Sequence, residues 1–339
     1  MTASQPRSSA PFWIGAAITL GLALAAAFMV KNEYFFFAGY VVLQFVVLAT
    51  AWNILGGYAG YVNFGTSAFF GVGAYIAVML IKSLNAPLAV QIVAASAVGA
   101  ALGVGVGLLT LRLRGIFFSI ATIAVAIILE TVVNNWRFVG GSTGVQIMRP
   151  PVMEPFESYT RMIFVVAAIL AVLAVAVARY IETSWMGRGL RAIRDNEEAA
   201  ECTGVPTLKL KLAACAVSGA LMSAIGAPLA MYQSFVEPAS AFSLNYSVSA
   251  LAMPIIGGTS TWLGPVIGAL LLGTIQQVVT VTIPGSINVL VVGVLLVVFV
   301  VGAPEGIIGL ARKLRRRIEA RRLEARRLKP ASKSSADSP

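Results

Sequence analysis

The sequence predicts an all-α polytopic membrane protein with about eight full spans, a broken or re-entrant helix pair and one short helix outside the bilayer. Three observations lead there. Hydrophobic residues make up 58% of the 339-residue chain and charged ones only 12%, more apolar material than one soluble core can absorb. The apolar residues fall in runs of about twenty, the length at which a helix crosses a hydrocarbon layer about 30 Å thick. The basic residues collect between those runs, as they do in cytoplasmic loops.

Taken in order, residues 1–10 form a short N-terminus and residues 11–310 a transmembrane domain. The first run, FWIGAAITLGLALAAAFMV (12–30), exceeds the apolar core of a signal peptide, about 7–15 residues, and reads as a retained span. Spans near 11–30, 36–55, 64–82, 88–110, 116–133, 162–181, 210–233 and 287–303 follow from the apolar runs. Of 25 Lys and Arg, eleven lie from Arg312 to Lys333 and six from Arg179 to Lys211, and Arg112 and Arg114 form a third group. All three groups, with both termini, fall on the cytosolic side if the run 248–282 enters and leaves the membrane on one side.

That run, VSALAMPIIGGTSTWLGPVIGALLLGTIQQVVTVT, is too long for one ordinary span and is interrupted by Gly257, Gly258, Gly264 and Pro265. Interruption of this kind marks a broken helix, so two short helices are expected to meet at 257–264. GTSAFFG (65–71) and GTSTWLG (258–264) share Gly, Thr, Ser and a closing Gly at equal spacing. Either an internal duplication around a pathway or tight helix packing through small residues accounts for the pair.

The loop 182–209 carries RDNEEAAECTGV (194–205). Asp195 with Glu198 has capping-box spacing, Glu197 and Glu198 suit the positive end of a helix dipole, and Gly204 then Pro206 supply a stop. A short helix over 196–203 follows, with Arg188, Arg191 and Arg194 as a basic face upstream. The small Ala199 and Ala200 leave room for another surface to approach. A solvated loop helix satisfied by its own charge pairs is the alternative.

The chain has no histidine, and Cys202 and Cys215 are its only thiols, which argues against a metal site, a His-dependent triad or a disulfide framework. No catalytic residues are expected. Nor is there a GxxxxGK[ST] segment, so a pump built on this chain must take ATP from another subunit.

Glu198, Ala199, Ala200 and Gly204 match the EAAxxxG loop of bacterial ABC importer permeases. With NILGGYAGYVNFGTSAFFGVGAY, ETVVNNWRFVGGSTGV, GRGLRAIRDNEEAAECTGV and MPIIGGTSTWLGPVIGALLLG, the chain over roughly 50–310 resembles the M-type permease subunit of branched-chain amino acid importers, the hydrophobic amino acid uptake class. It departs from the general loop pattern after Gly204, where Pro206 comes early. The resemblance implies a bacterial inner-membrane complex of two permease subunits, two ATP-binding subunits and an external solute-binding protein. In it Asp195, Glu197, Glu198, Ala199, Ala200 and Gly204 form the coupling element that docks on an ATP-binding subunit. ATP and Mg would be held by those partners, with no cofactor on this chain. Branched-chain amino acids are the implied cargo, with urea, short amides and aromatic acids carried by related permeases.

An amino acid crossing the bilayer needs polar groups or water along its path. Glu130 is the acid placed inside a span, with Asn134 following before Trp136. It serves either as a pathway group or as a hydrated residue near the outer interface, and in an ion-coupled secondary transporter it would be the titratable candidate. Asn53, Asn63, Gly65, Thr66, Ser67, Gly258, Thr259 and Ser260 are the other path candidates, although Ser and Thr also bond to their own helices. Residues 311–339 form a basic tail, with Leu310, Leu314 and Ile318 four apart at its start. Attraction of about 1 kcal/mol per basic residue makes it an anchor on anionic membrane lipid. It has no aromatic platform for nucleic acid.

Overall fold

The computed structural model describes residues 10–110, 113, 115–147, 158–282, 290, 293, 294, 297, 306–310 and 313. Its helices in chain order are α1 (Ala10–Met29), α2 (Glu33–Ala59), α3 (Thr66–Leu84), α4 (Leu88–Thr110), α5 (Ile116–Asn134), α6 (Tyr159–Thr183), α7 (Trp185–Asp195), α8 (Glu197–Cys202), α9 (Thr207–Gln233), α10 (Pro238–Ala241), α11 (Leu244–Gly257) and α12 (Leu263–Thr282). Nine helical segments among the described residues are long and apolar enough to cross a membrane, with α10 and α11 together counting as one. The chain is all-α and polytopic. The one sheet described is a two-residue antiparallel pair, β1 (Val145–Gln146) with β2 (Phe235–Val236).

Seven expected spans coincide with α1 to α6 and α9, and the broken pair with α11 and α12. The span expected at 287–303 lies outside the described residues apart from Leu290, Gly293, Val294 and Val297. So do Arg112, Arg114, the first nine residues and the basic tail except Lys313.

The bundle is organised around α9, which lies between α3 and α4 with backbones nearly touching. A Cβ at Gly99 would fall 2.5 Å from the Gly219 carbonyl oxygen, one at Gly103 2.5 Å from the Cys215 carbonyl, and one at Gly219 2.6 Å from the Gly99 carbonyl. Between apolar helices in lipid there is little hydrophobic drive, so close approach and interhelical hydrogen bonds hold the bundle. Ser223 donates from Oγ to the Phe69 carbonyl of α3 (2.7 Å), and Ser218 to the Ala51 carbonyl of α2 (2.8 Å), which fixes α9 against both neighbours.

The ends of α2 and α6, the start of α9 and the α11–α12 junction share one side of the bundle with α7 and α8. The start of α2 and the end of α12 share the other, where Tyr34 donates to the Gln277 carbonyl (3.4 Å). The two helices of the broken pair therefore form a hairpin whose tip points to the α8 side.

Gly219→Leu and Gly103→Leu should lower the folded, monodisperse yield from membranes, since inserting bulk into a close-packed site costs about 1–3 kcal/mol. Gly105→Leu, where nothing lies within 4 Å, should behave as the parent chain in the same size-exclusion assay.

Candidate coupling site and helix breaks

Helix α7 begins with Ser184, whose Oγ accepts from the Gly187 N–H (3.4 Å). Its buried face, Gly187, Gly189, Leu190 and Ile193, keeps the helical register up to Asp195. That register corrects the expected start of the next helix. Asp195 closes α7, lies exposed and, among the described residues, pairs with Arg194, 3.6 Å away. Asn196 takes the cap instead, ending α7 and accepting the Ala199 N–H on Oδ1 (3.0 Å).

Helix α8 then presents two faces. Inward, Ala200 is buried and Glu197 meets two partners: Lys211 Nζ at 2.6 Å from α9, and the Tyr61 hydroxyl at 2.6 Å from the segment after α2. The Lys211 side chain is only 5% exposed, so this is a buried ion pair completed by a phenol. Outward, Glu198, Ala199, Glu201 and Cys202 face solvent. Of the residues expected to dock a partner, Glu197 and Ala200 are thus anchors, while Glu198, Ala199 and Gly204 stay on the open side. Gly204 ends the helix at φ +83°, a conformation costly for other residues, as Val205 N–H returns to the Ala200 carbonyl (3.0 Å).

The upstream arginines grip backbone rather than forming a free basic face. Arg191 donates to the Glu182 carbonyl (3.1 Å), Arg194 to the Gly57 carbonyl at the end of α2 (3.1 Å), and Arg188 to the Thr183 carbonyl (3.4 Å).

Two breaks in the transmembrane helices lie next to this assembly. Residues 60–65 run without a regular helical ladder between α2 and α3, and four of their backbone groups are met by side chains. Trp52 Nε1 donates to the Asn63 carbonyl (2.7 Å), Ser119 Oγ to the Val62 carbonyl (2.8 Å), and Thr122 Oγ1 accepts from Phe64 N–H (3.1 Å). Asn63 Oδ1 accepts from Gly65 N–H (2.7 Å), and Ser247 of α11 accepts the Ser67 N–H at the start of α3 (2.9 Å). The second break is the hairpin tip. A Cβ at Gly257 would lie 2.6 Å from the Gly264 carbonyl carbon, and one at Gly268 2.7 Å from that of Met253, so α11 and α12 touch through bare backbone. Glu182, at the end of α6, accepts the Trp262 N–H on Oε2 (2.7 Å) at the entrance to α12, and the Tyr58 hydroxyl donates to the same oxygen (3.4 Å). The Gly57 position faces the Thr259 carbonyl oxygen, 2.9 Å from where its Cβ would be, so the two breaks abut.

The path candidates therefore separate into three groups. Asn63, Gly65, Thr66 and Ser67 meet Thr122 and Ser247 and are buried. Asn53 is buried one turn before Gly57, towards Gly258, Thr259 and the exposed Ser260 at the tip. Glu130 and Asn134 stand apart at the far end of α5, half-buried, and Glu130 makes no hydrogen bond or ion pair among the described residues. The two GTS stretches differ locally: Thr66 and Ser67 open α3, whereas Gly258 to Ser260 precede α12. Among the described residues no group of three or more His, Cys, Asp or Glu could hold a metal ion.

Sequence reading missed Lys211, Tyr61 and Glu182. Of the two lysines at the start of α9, Lys209 and Lys211, the second lies deeper in the apolar run, and that was the available signal for it. Glu197→Gln should destabilise the folded chain by about 3 kcal/mol, as it takes away the carboxylate that meets a buried ammonium at 2.6 Å. Glu197→Gln with Lys211→Met should recover part of that loss in thermal melts of the detergent-solubilised protein.

Residues 34–300 match the family described as branched-chain amino acid transport system / permease component. The high-affinity branched-chain amino acid transport system permease protein LivM of Escherichia coli (strain K12) is 26% identical over 318 residues, covering 86% of this chain and 74% of its own, and LivM of Salmonella typhimurium is equally similar. A probable branched-chain amino acid transport permease protein, LivH of Methanocaldococcus jannaschii, is 24% identical over 276 residues, covering 76% of this chain and 85% of its own. No solved structure matches. With a family match across most of its length, a bundle of apolar helices and a short acidic helix held outside them, the chain belongs to the branched-chain amino acid transport permease family.

Proposed function

We propose that this chain is one of two permease subunits of a bacterial inner-membrane importer that moves branched-chain amino acids into the cell by alternating access. One ATP-binding subunit would dock on the outward face of α7 and α8, on the cytosolic side with both termini, a second on the other permease subunit, and an external solute-binding protein would deliver cargo at the opposite end. ATP and Mg belong to the docked subunits. The second permease lies alongside to complete the path.

The observation that carries this reading is the two-sided nature of α8. Its inner face is tied by Glu197 to α9 and to the segment after α2, while Glu198, Ala199 and Cys202 are solvent-exposed. A push on the open face would reach α2 through Tyr61 and Arg194, and the hairpin tip through Glu182. Both breaks would then shift together. Asn63, Thr66, Ser67 and Ser247 at one break, and Asn53, Thr259 and Ser260 at the other, supply the polar groups that a charged cargo needs at membrane depth.

Glu198→Arg on the open face, or Gly204→Pro, which cannot adopt the positive φ, should leave the assembled complex in the membrane but cut uptake about tenfold, the scale of a 1.4 kcal/mol coupling energy. Proteoliposome uptake of labelled leucine measured beside ATP hydrolysis reads this directly. Parent-like uptake in both variants, or uptake driven by an ion gradient without hydrolysable ATP, would sink the reading.

A further inference from the structure

A groove of about 900 Å³ runs between α1, α2, α6 and α12. Its walls are almost wholly apolar, among them Leu22, Val46, Phe164, Val172 and Leu270. From Phe12 to Ala26 it follows α1 for about 21 Å at 1.5 Å per residue, more than one leaflet's half of a hydrocarbon core about 30 Å thick. Helix α1 is scarcely buried, so the groove opens laterally from the bundle. At the end nearest α8, Arg179 stands over the rings of Phe12 (4.3 Å to the centroid) and Trp262 (5.8 Å), which meet edge to face at 5.4 Å. The Arg179 guanidinium has no hydrogen bond or ion pair among the described residues.

We propose that this groove binds an anionic phospholipid, with its acyl chain along α1 and α6 and its phosphate on Arg179. Each part of the site matches that chemistry. The apolar walls accept a hydrocarbon chain, and guanidinium pairs with phosphate through two parallel N–H donors. The aromatic pair keeps the cation at the interface without neutralising it. A soluble ligand has no use for a trough of this length facing lipid. A neighbouring apolar helix laid in it would cover Arg179 without supplying an anion, which is costly. The site touches the hairpin tip, because Trp262 forms its rim and gives its N–H to Glu182. The inference rests on the membrane location alone, and holds whatever the cargo.

Photocrosslinking tests it: the assembled complex is placed in vesicles of phosphatidylethanolamine with a phosphatidylglycerol bearing a mid-chain diazirine, and labelled peptides are mapped. Labels should concentrate on α1 and α6 along the groove above the level on the exposed face of α5 at Ile120 and Ile127. Arg179→Gln should reduce groove labelling about fivefold, the equivalent of about 1 kcal/mol for one basic residue, and Arg179→Lys should retain most of it. Gly15→Phe, at a groove position with nothing within 4 Å of its Cβ, should block labelling by filling the space. Equal labelling of groove and α5, or equal groove labelling by a phosphatidylcholine probe, would overturn the proposal. So would a disulfide between Val172→Cys and Val297→Cys, which would put the chain's own 283–305 segment in the groove. The first two comparisons use the parent chain, so they decide the matter even where a variant fails to fold.

Discussion

Backbone N–H and C=O groups that leave a helix inside hydrocarbon have no water to turn to, and each one left unmatched costs several kcal/mol. This constraint bears on the two irregular regions of the protein, which adjoin the side of the bundle that carries α7 and α8. In the stretch 60–65, Trp52, Asn63, Ser119 and Thr122 meet four of its backbone groups, the Leu55 carbonyl takes the Gly60 and Tyr61 N–H groups, and Ser247 serves the first turn of α3. The α11–α12 junction meets the same demand differently: glycines let the two backbones touch, and the carboxylate of Glu182 takes the Trp262 N–H. The side chains of Trp52, Asn63, Ser119 and Thr122 are thus committed to the chain's own backbone, whereas the buried Asn53 amide and Thr66 hydroxyl have no such bond among the described residues.

The loop outside the bundle obeys related physics in a wetter setting. A six-residue helix is too short to be stable alone, since nucleation costs more than a few hydrogen bonds return. It persists because Asn196 caps it, Ala200 is buried beneath it and Glu197 locks onto Lys211 and Tyr61. An ion pair buried this deeply is weak evidence of stability but good evidence of a fixed orientation. The open face of the helix is defined by what the inner face grips.

Much of this was legible in the linear sequence. Hydrocarbon thickness and run length located the spans, and Gly257, Gly258, Gly264 and Pro265 announced the hairpin, because helix continuation is locally costly at such residues. The short helix was legible within a residue at each end, yet its cap was misassigned. Asp195 and Asn196 are equally good caps in isolation, and the buried stripe ending at Ile193 carried α7 one residue further than local spacing indicates. The anchors were not legible at all. Tyr61 and Glu182 sit far from their partners along the chain, Lys211 lies on a different helix from Glu197, and nothing local distinguishes Glu182 from an ordinary solvated acid at a helix end. The path candidates were chosen for polarity alone, which cannot tell a group facing a passage from one facing its neighbour's backbone.

The contact of Gly57 with the Thr259 carbonyl has a mechanical consequence. The Thr259 carbonyl packs against the Gly57 position beside the Asn53 amide, and Arg194 clasps the Gly57 carbonyl, so the end of α2 and the hairpin tip are closely apposed. The two interruptions are joined at this contact, so a side chain at position 57 would meet the Asn53 amide and the Thr259 carbonyl and wedge the end of α2 away from the hairpin tip.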